Sequence, residues 1–144
     1  MIRNALIATA LVLGLTGCAT AGPAADSTQE KVVYHINDSA VARVAMRNVQ
    51  NHITANPEAK IVVVTHGKGI DFLLNDAKDE KGEPYQPQVA GLKDKGVDFR
   101  VCRNTLTGRK LDDKAVIMDA TVVPSGVAEI GKLQSKEGYV YLKP

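Results

Sequence analysis

Apolar positions fall in short runs whose period switches along the chain, and the switching predicts the elements. Residues 31–37, KVVYHIN, combine β-branched and aromatic side chains and read as a first strand. Asp38 or Ser39 can cap the helix that follows, in which Val41, Val44, Ala45, Val49 and Ile53 recur at helical spacing. Arg43, Arg47, Gln50 and Asn51 take much of its other face, and Asn56-Pro57 ends it. Residues 60–65 read as a second strand. Its centre, Ile61 through Val64, is continuously apolar, as expected of a strand covered on both faces. The sequence HGKG at 66–69 breaks that strand, and a short helix over 70–75 would turn Ile70, Leu73 and Leu74 inward. Residues 76–88 are charged, contain Gly82, Pro84 and Pro87, and read as a long loop, a lid or a subunit contact.

The second half continues the alternation. A brief helix over 89–95 stops at Gly96, and 97–102 form a third strand. Asn104 can cap a short helix over 105–111; 112–116 are ambiguous; 117–123 contain a fourth strand. Pro124-Ser125-Gly126 turns into a helix with Val127, Ile130 and Leu133 inward, Gly138 ends it, and 139–142 form a fifth strand. Strands alternating with helices throughout argue for an α/β sandwich with a mainly parallel sheet and right-handed crossovers. The pattern carries no strand order.

The N-terminus follows other rules. After Arg3, residues 5–15 are apolar apart from Thr9 and Gly14. That is shorter than the roughly 20 residues of a spanning helix and suits a signal-peptide core. Leu15-Thr16-Gly17-Cys18 resembles the lipobox of bacterial lipoproteins. The resemblance implies diacylglycerol on the Cys18 thiol, cleavage just before it, and a fatty chain such as palmitate on the new amino group. Anchoring of this kind needs two or more chains. The alternative is a secretory signal with a chance cysteine. Ala19, where an aspartate would hold a lipoprotein at the inner membrane, favours the outer membrane of a bacterial envelope, facing the periplasm. Residues 1–17 are then the signal, 18–29 a flexible tether rich in small residues, and 30–144 one domain with one core. The formal charge of +2 drops by one unit with Arg3, and basic and acidic residues are interspersed. No stripe for nucleic acid, no polybasic membrane patch and no internal repeat is present.

In parallel sheets, ligands bind beyond the carboxyl ends of the strands, which selects residues 37–39, 66–69, 102–104 and 124–126. Cys102 is the sharpest candidate. With Cys18 in lipid it has no intramolecular partner, so it is either inert or kept for reactivity. It ends a strand just before a helix start, where about half a positive charge and nearby Arg103 can favour the thiolate. Alternation puts Arg100 and Cys102 on one face, Phe99 and Val101 on the other. The plain alternative is a small apolar plug. His66 can act as a base toward a thiol or substrate, or be a hydrogen-bonded structural residue. His35, in a strand, and His52, on a helix, read as structural or solvated. The three histidines lack the spacing of a metal site. Gly67-Lys68-Gly69 lacks the P-loop frame. Amides around Ser125 and Gly126 can bind an anion at a helix start, or Ser125 simply caps it, worth about 1 kcal/mol. No Gly-x-Ser-x-Gly elbow surrounds Ser125. Glu129 reads as a solvated carboxylate or ion-pair partner.

The runs at 96–106 (GVDFRVCRNTL), 122–130 (VVPSGVAEI) and 138–144 (GYVYLKP), with Leu133-Gln134 and VVVTHG at 62–67, resemble the DsrE/DsrF-like family. The resemblance implies a three-layer α/β/α sandwich with a five-stranded parallel sheet, and homo-oligomers, often trimers or hexamers. No cofactor is expected. Some members are sulfur-relay subunits, in which the cysteine matching Cys102 accepts sulfur as a persulfide. Those members work in the cytoplasm, whereas this chain carries an export signal, and a persulfide outside the reducing cytoplasm oxidises easily. Three functions are open. One is a thiol-based sulfur carrier or redox protein using Cys102, tuned by His66 and Arg103, with a sulfur-donor or thiol partner. Another is a module binding a small anion or sulfur metabolite through Gly67, Arg103, Asn104, Ser125 and Gly126. The third is an oligomeric envelope scaffold.

Overall fold

The apolar run at 61–64 occupies the middle of a five-stranded sheet in the computed structural model, which describes residues 29–144. The segments expected to be an export signal (1–17) and, but for its last residue, a tether (18–29), with Cys18, lie outside the described residues. The chain runs β1 (Lys31–Ile36), α1 (Ala42–Ala55), β2 (Lys60–Thr65), α2 (Gln86–Lys93), β3 (Asp98–Cys102), α3 (Arg103–Gly108), β4 (Ala120–Val123), α4 (Gly126–Glu137) and β5 (Val140–Leu142). Short 3-10 turns cover Ser39–Val41, Gly67–Leu73 and Asp113–Ala115. The order is β4-β3-β2-β1-β5, and every neighbouring pair is parallel. Ile36 pairs with Thr65, Thr65 with Val101, and Cys102 with Val123, so the carboxyl ends of β1 to β4 open on one side. No helix among the described residues is long and apolar enough to cross a membrane.

Alternation along the strands sorts the core into two layers. Val32, Tyr34, Ile36, Ile61, Val63, Phe99 and Val101 pack with Ala45, Met46 and Val49 of α1, Val89 and Leu92 of α2, and Phe72 and Leu73 of the turn after β2. On the opposite face, Val33, Val62 and Val64 meet Ile130 and Leu133 of α4 and Tyr139. Each fully buried side chain of this kind contributes about 1.5–3 kcal/mol, so β2, buried on both faces, is the spine of the domain. Arg100 shares the α4 face. It donates to Asp98 at 2.9 and 2.7 Å and to Glu129, which fixes α4 over β3 and identifies Glu129 as an ion-pair partner.

Several expectations are corrected. Val44 is exposed because Ala42, Ala45, Met46 and Val49 form the inward stripe. A 3-10 turn capped by Asp38 precedes α1. Val127 is exposed because α4 turns Gly126, Ile130 and Leu133 inward. The segment at 70–75 belongs to the 3-10 turn Gly67–Leu73, which buries Ile70, Phe72 and Leu73 and leaves Leu74 half-buried. Helix α2 starts at Gln86 rather than 89, with Pro87 in its first turn, where a missing N–H costs nothing. The loop before it is clamped by Arg43. This side chain donates to Asp79 at 2.9 Å, Gln88 at 2.9 Å and the carbonyls of Glu83 and Pro84 at 2.8 and 3.0 Å, and lies over the Tyr85 ring.

The turn after β2 rests on the end of β1. A methyl at Gly69 would lie 2.1 Å from the Ile36 carbonyl oxygen and 2.8 Å from the Asn37 Cα, both backbone atoms. Gly69→Ala should therefore destabilise the domain by about 2 kcal/mol or more, as overpacking does, lowering the urea midpoint at unchanged slope. Gly91→Ala, on an exposed face of α2 with nothing within 4 Å, should stabilise by about 0.5–1 kcal/mol. A Gly69→Ala protein as stable as the parent would contradict the close approach.

Candidate functional site

Cys102 is the last residue of β3, and the chain turns from it directly into α3. It therefore occupies the N-cap position that the sequence pattern assigns to Asn104, which instead lies in the first turn of α3. Only 5% of Cys102 is exposed, yet it belongs to neither apolar layer. Its neighbours are donors. Burial alone pushes the thiol up, but the Gly126 amide, the Thr105 hydroxyl and the amides of Thr105 and Asn104 more than offset it. The net effect holds the thiol below its usual range. Thr105 is oriented for this role. Its oxygen accepts the Gly67 N–H at 3.0 Å, which leaves the hydroxyl hydrogen free for the sulfur.

Gly126 brings α4 into the site. A methyl there would lie 3.1 Å from Cys102 Cβ, 3.1 Å from the Thr65 carbonyl oxygen and 3.3 Å from His66 Cβ. The bare α-carbon lets the first turn of α4 settle between the cysteine and the histidine. Ser125 caps that helix, its Oγ accepting the Ala128 N–H at 3.4 Å. Arg103 is turned elsewhere. Its guanidinium holds Asp113 through two bonds of 2.8 and 2.6 Å on the exposed side of α3, so the donors at the sulfur come from backbone and Thr105. A groove of about 730 Å³, lined by Gly67, Lys68, Asp71, Thr105, Gly108 and Arg109, opens beside Thr105. Within it Arg109 is paired with Asp71.

His66 follows β2 and starts the next turn. Its Nε2 lies 2.7 Å from Nε2 of His35, and His35 Nδ1 lies 2.6 Å from the Tyr141 hydroxyl. His35 is thus part of the site region rather than a solvated strand residue. Burial lowers the pKa of both imidazoles. For His35 the neighbouring His66 and Lys143 act in the same direction, and for His66 Lys143 does. Both rings are therefore neutral at pH 7. His52 stands apart, bonded to Tyr34 and Glu30. The structure brings together Cys102, His66, Gly67, Asn104 and Gly126, with Ser125 just outside. It adds Thr105 and His35, which sequence reasoning does not select. Thr105 is a hydroxyl three residues past a strand-end cysteine, a signal present in the sequence. His35 depends on which strand adjoins β1.

The sequence model of the DsrE/DsrF-like family matches residues 20–144. No curated protein matches. Among solved structures, MTH1491 from Methanobacterium thermoautotrophicum, described as a protein of unknown function, is 30% identical. It aligns over 81% of this chain and 100% of its own with a TM-score of 0.72. The ychN protein from E. coli aligns over 79% of this chain and 100% of its own at 14% identity and a TM-score of 0.64, a likeness of fold alone. The family match over most of the length, on an α/β fold with a parallel five-stranded sheet, shows that the chain belongs to the DsrE/DsrF-like family.

Proposed function

We propose that the protein is a thiol-based sulfur carrier acting through Cys102 and anchored to the bacterial envelope by lipid on Cys18. The observation that supports the chemistry is the position of Cys102 at the turn from β3 into α3, outside both apolar layers and against the first turn of α4. A thiolate so held is available as a nucleophile near neutral pH without a dedicated base. It takes the terminal sulfur of a donor persulfide R–S–SH. One S–S bond forms at Cys102, the donor's S–S bond breaks, and R–S⁻ leaves, with no net oxidation. Cys102 is the one free cysteine among the described residues, so transfer onward needs a thiol partner rather than an internal disulfide. The groove beside Thr105, with Lys68 on its wall, supports a second reading as a small-anion binding module.

Iodoacetamide alkylation of Cys102 should reach its half-maximal rate below the pH of about 8.5 expected of a free thiol. Thr105→Val should slow alkylation at pH 7 by roughly tenfold, the loss of one hydrogen bond to a charged acceptor, and Thr105→Ser should retain the parent rate. A parent midpoint at or above that of a free thiol would remove the basis for the carrier and leave the binding module.

The same shift makes stability depend on pH. The native thiol ionises at lower pH than the unfolded one, so between the two the unfolded chain binds more protons and stability rises with pH. The advantage of the parent over Cys102→Ser in urea unfolding should therefore be largest above the unfolded thiol pKa and fade as pH falls through the native one. An advantage that shrinks as pH rises would reverse the assigned direction.

Mass spectrometry of protein taken from native membranes should find diacylglycerol on Cys18 and a fraction of chains with one added sulfur on Cys102. An unmodified residue 18 at an intact N-terminus would end the anchoring proposal.

A further inference from the structure

Tyr141, His35 and His66 form a continuous line of hydrogen bonds across β5, β1 and the end of β2. We propose that this line is a proton wire that delivers one proton from the solvent-facing edge of the sheet to the thiolate released at Cys102, an inference that rests on the sulfur-carrier reading above.

Imidazole suits the role because a proton arriving at one nitrogen releases the proton on the other. With both rings neutral, two arrangements satisfy both bonds. In the first, the Tyr141 hydroxyl donates to His35 Nδ1, His35 Nε2–H donates to His66 Nε2, and His66 carries its proton on Nδ1. In the second, every bond is reversed: His66 Nε2–H donates to His35, His35 Nδ1–H donates to the Tyr141 oxygen, and His66 Nδ1 is bare. His66 Nδ1 has no partner among the described residues, and His66 Cβ and Cys102 Cβ flank Gly126. The nitrogen without a partner thus belongs to a residue whose Cβ shares Gly126 with that of Cys102.

The chemistry balances as the first arrangement passes into the second. The Cys102 thiolate takes the terminal sulfur of R–S–SH, and R–S⁻ leaves. His66 Nδ1 gives its proton to R–S⁻, forming RSH. His66 Nε2 takes the proton of His35, His35 Nδ1 takes that of Tyr141, and Tyr141, 37% exposed, takes one from a buffer acid in solvent. One proton enters, one leaves, and no electrons are exchanged with an outside oxidant. The titratable groups facing the pair are Tyr141, bonded to His35, and Lys143, both at the β5 end, while Cys102 shares Gly126 with His66 through its Cβ. Helix α4 brings Gly126, its Glu129 being held by Arg100. Burial and Lys143 disfavour an imidazolium, which suits a wire whose rings stay neutral.

The test compares two disulfide probes on the mature protein: a dialkyl disulfide, whose basic leaving thiolate needs a proton, and an aromatic disulfide, whose weakly basic one does not. The ratio of the alkyl to the aromatic rate should fall by about tenfold or more in Tyr141→Phe and in His35→Phe, the scale of general-acid catalysis. His35→Gln can bridge the same neighbours by hydrogen bonds but cannot pass a proton through, so its ratio should fall as well. A parental ratio in Tyr141→Phe, or one restored by His35→Gln, would overturn the wire and leave His35 a purely structural support. A parent protein whose aromatic rate is no faster than a free thiol would instead remove the carrier reading beneath it.

Discussion

The site depends on a side chain that is absent. Gly126 is the first residue of α4, and its α-carbon sits against Cys102, the Thr65 carbonyl and His66 at distances that leave little room for a methyl. That approach brings a helix-start amide to the sulfur, and it holds the ends of β2 and β3 under one turn of helix. It also leaves α4 positioned for Glu129 to meet Arg100 below. A methyl at Gly126 would require Cys102, the Thr65 carbonyl or His66 to give by a few tenths of an ångström.

The environment of Cys102 is a contest between desolvation and hydrogen bonding. Burial is the largest single influence on the thiol and disfavours the thiolate. Three amides and a hydroxyl act the other way, and none is a mobile charge. Such donors are already in place before the sulfur ionises, so little reorganisation accompanies ionisation. A cation as mobile as Arg103 would be weaker at this exposed edge, where solvent screens it, and Arg103 is in any case engaged by Asp113.

The fold was legible where period and burial agree. The β2 run reads as a doubly covered strand and is one, and the α/β alternation survives intact. Val44 and Val127 lie on the exposed faces of helices whose neighbouring positions Ala45, Val49, Ile130 and Leu133 do turn inward, so the buried stripe is narrower than the run of apolar residues. Cys102, His66 and Gly126 were selected because strand ends in a parallel sheet converge whatever the strand order. His35 was missed for the complementary reason. Its partners are 31 and 106 residues away, and they meet it only because β1 lies between β2 and β5.

Strand order also decides how the sulfur is exposed. Cys102 lies on β3, one strand in from the β4 edge, whereas Tyr141 lies on β5 at the opposite edge. Cys102 is therefore 5% exposed while the polar line running from His66 reaches a residue that is 37% exposed. Under the proposed envelope anchoring this separation has a consequence. A thiolate in an oxidising compartment is vulnerable in proportion to its exposure, and donors that stabilise the thiolate do not themselves shield it. The first turn of α4 packs against Cys102 at Gly126, where the residue is 5% exposed. The same close approach that packs α4 on this buried residue also brings the Gly126 amide that helps to lower the thiol pKa.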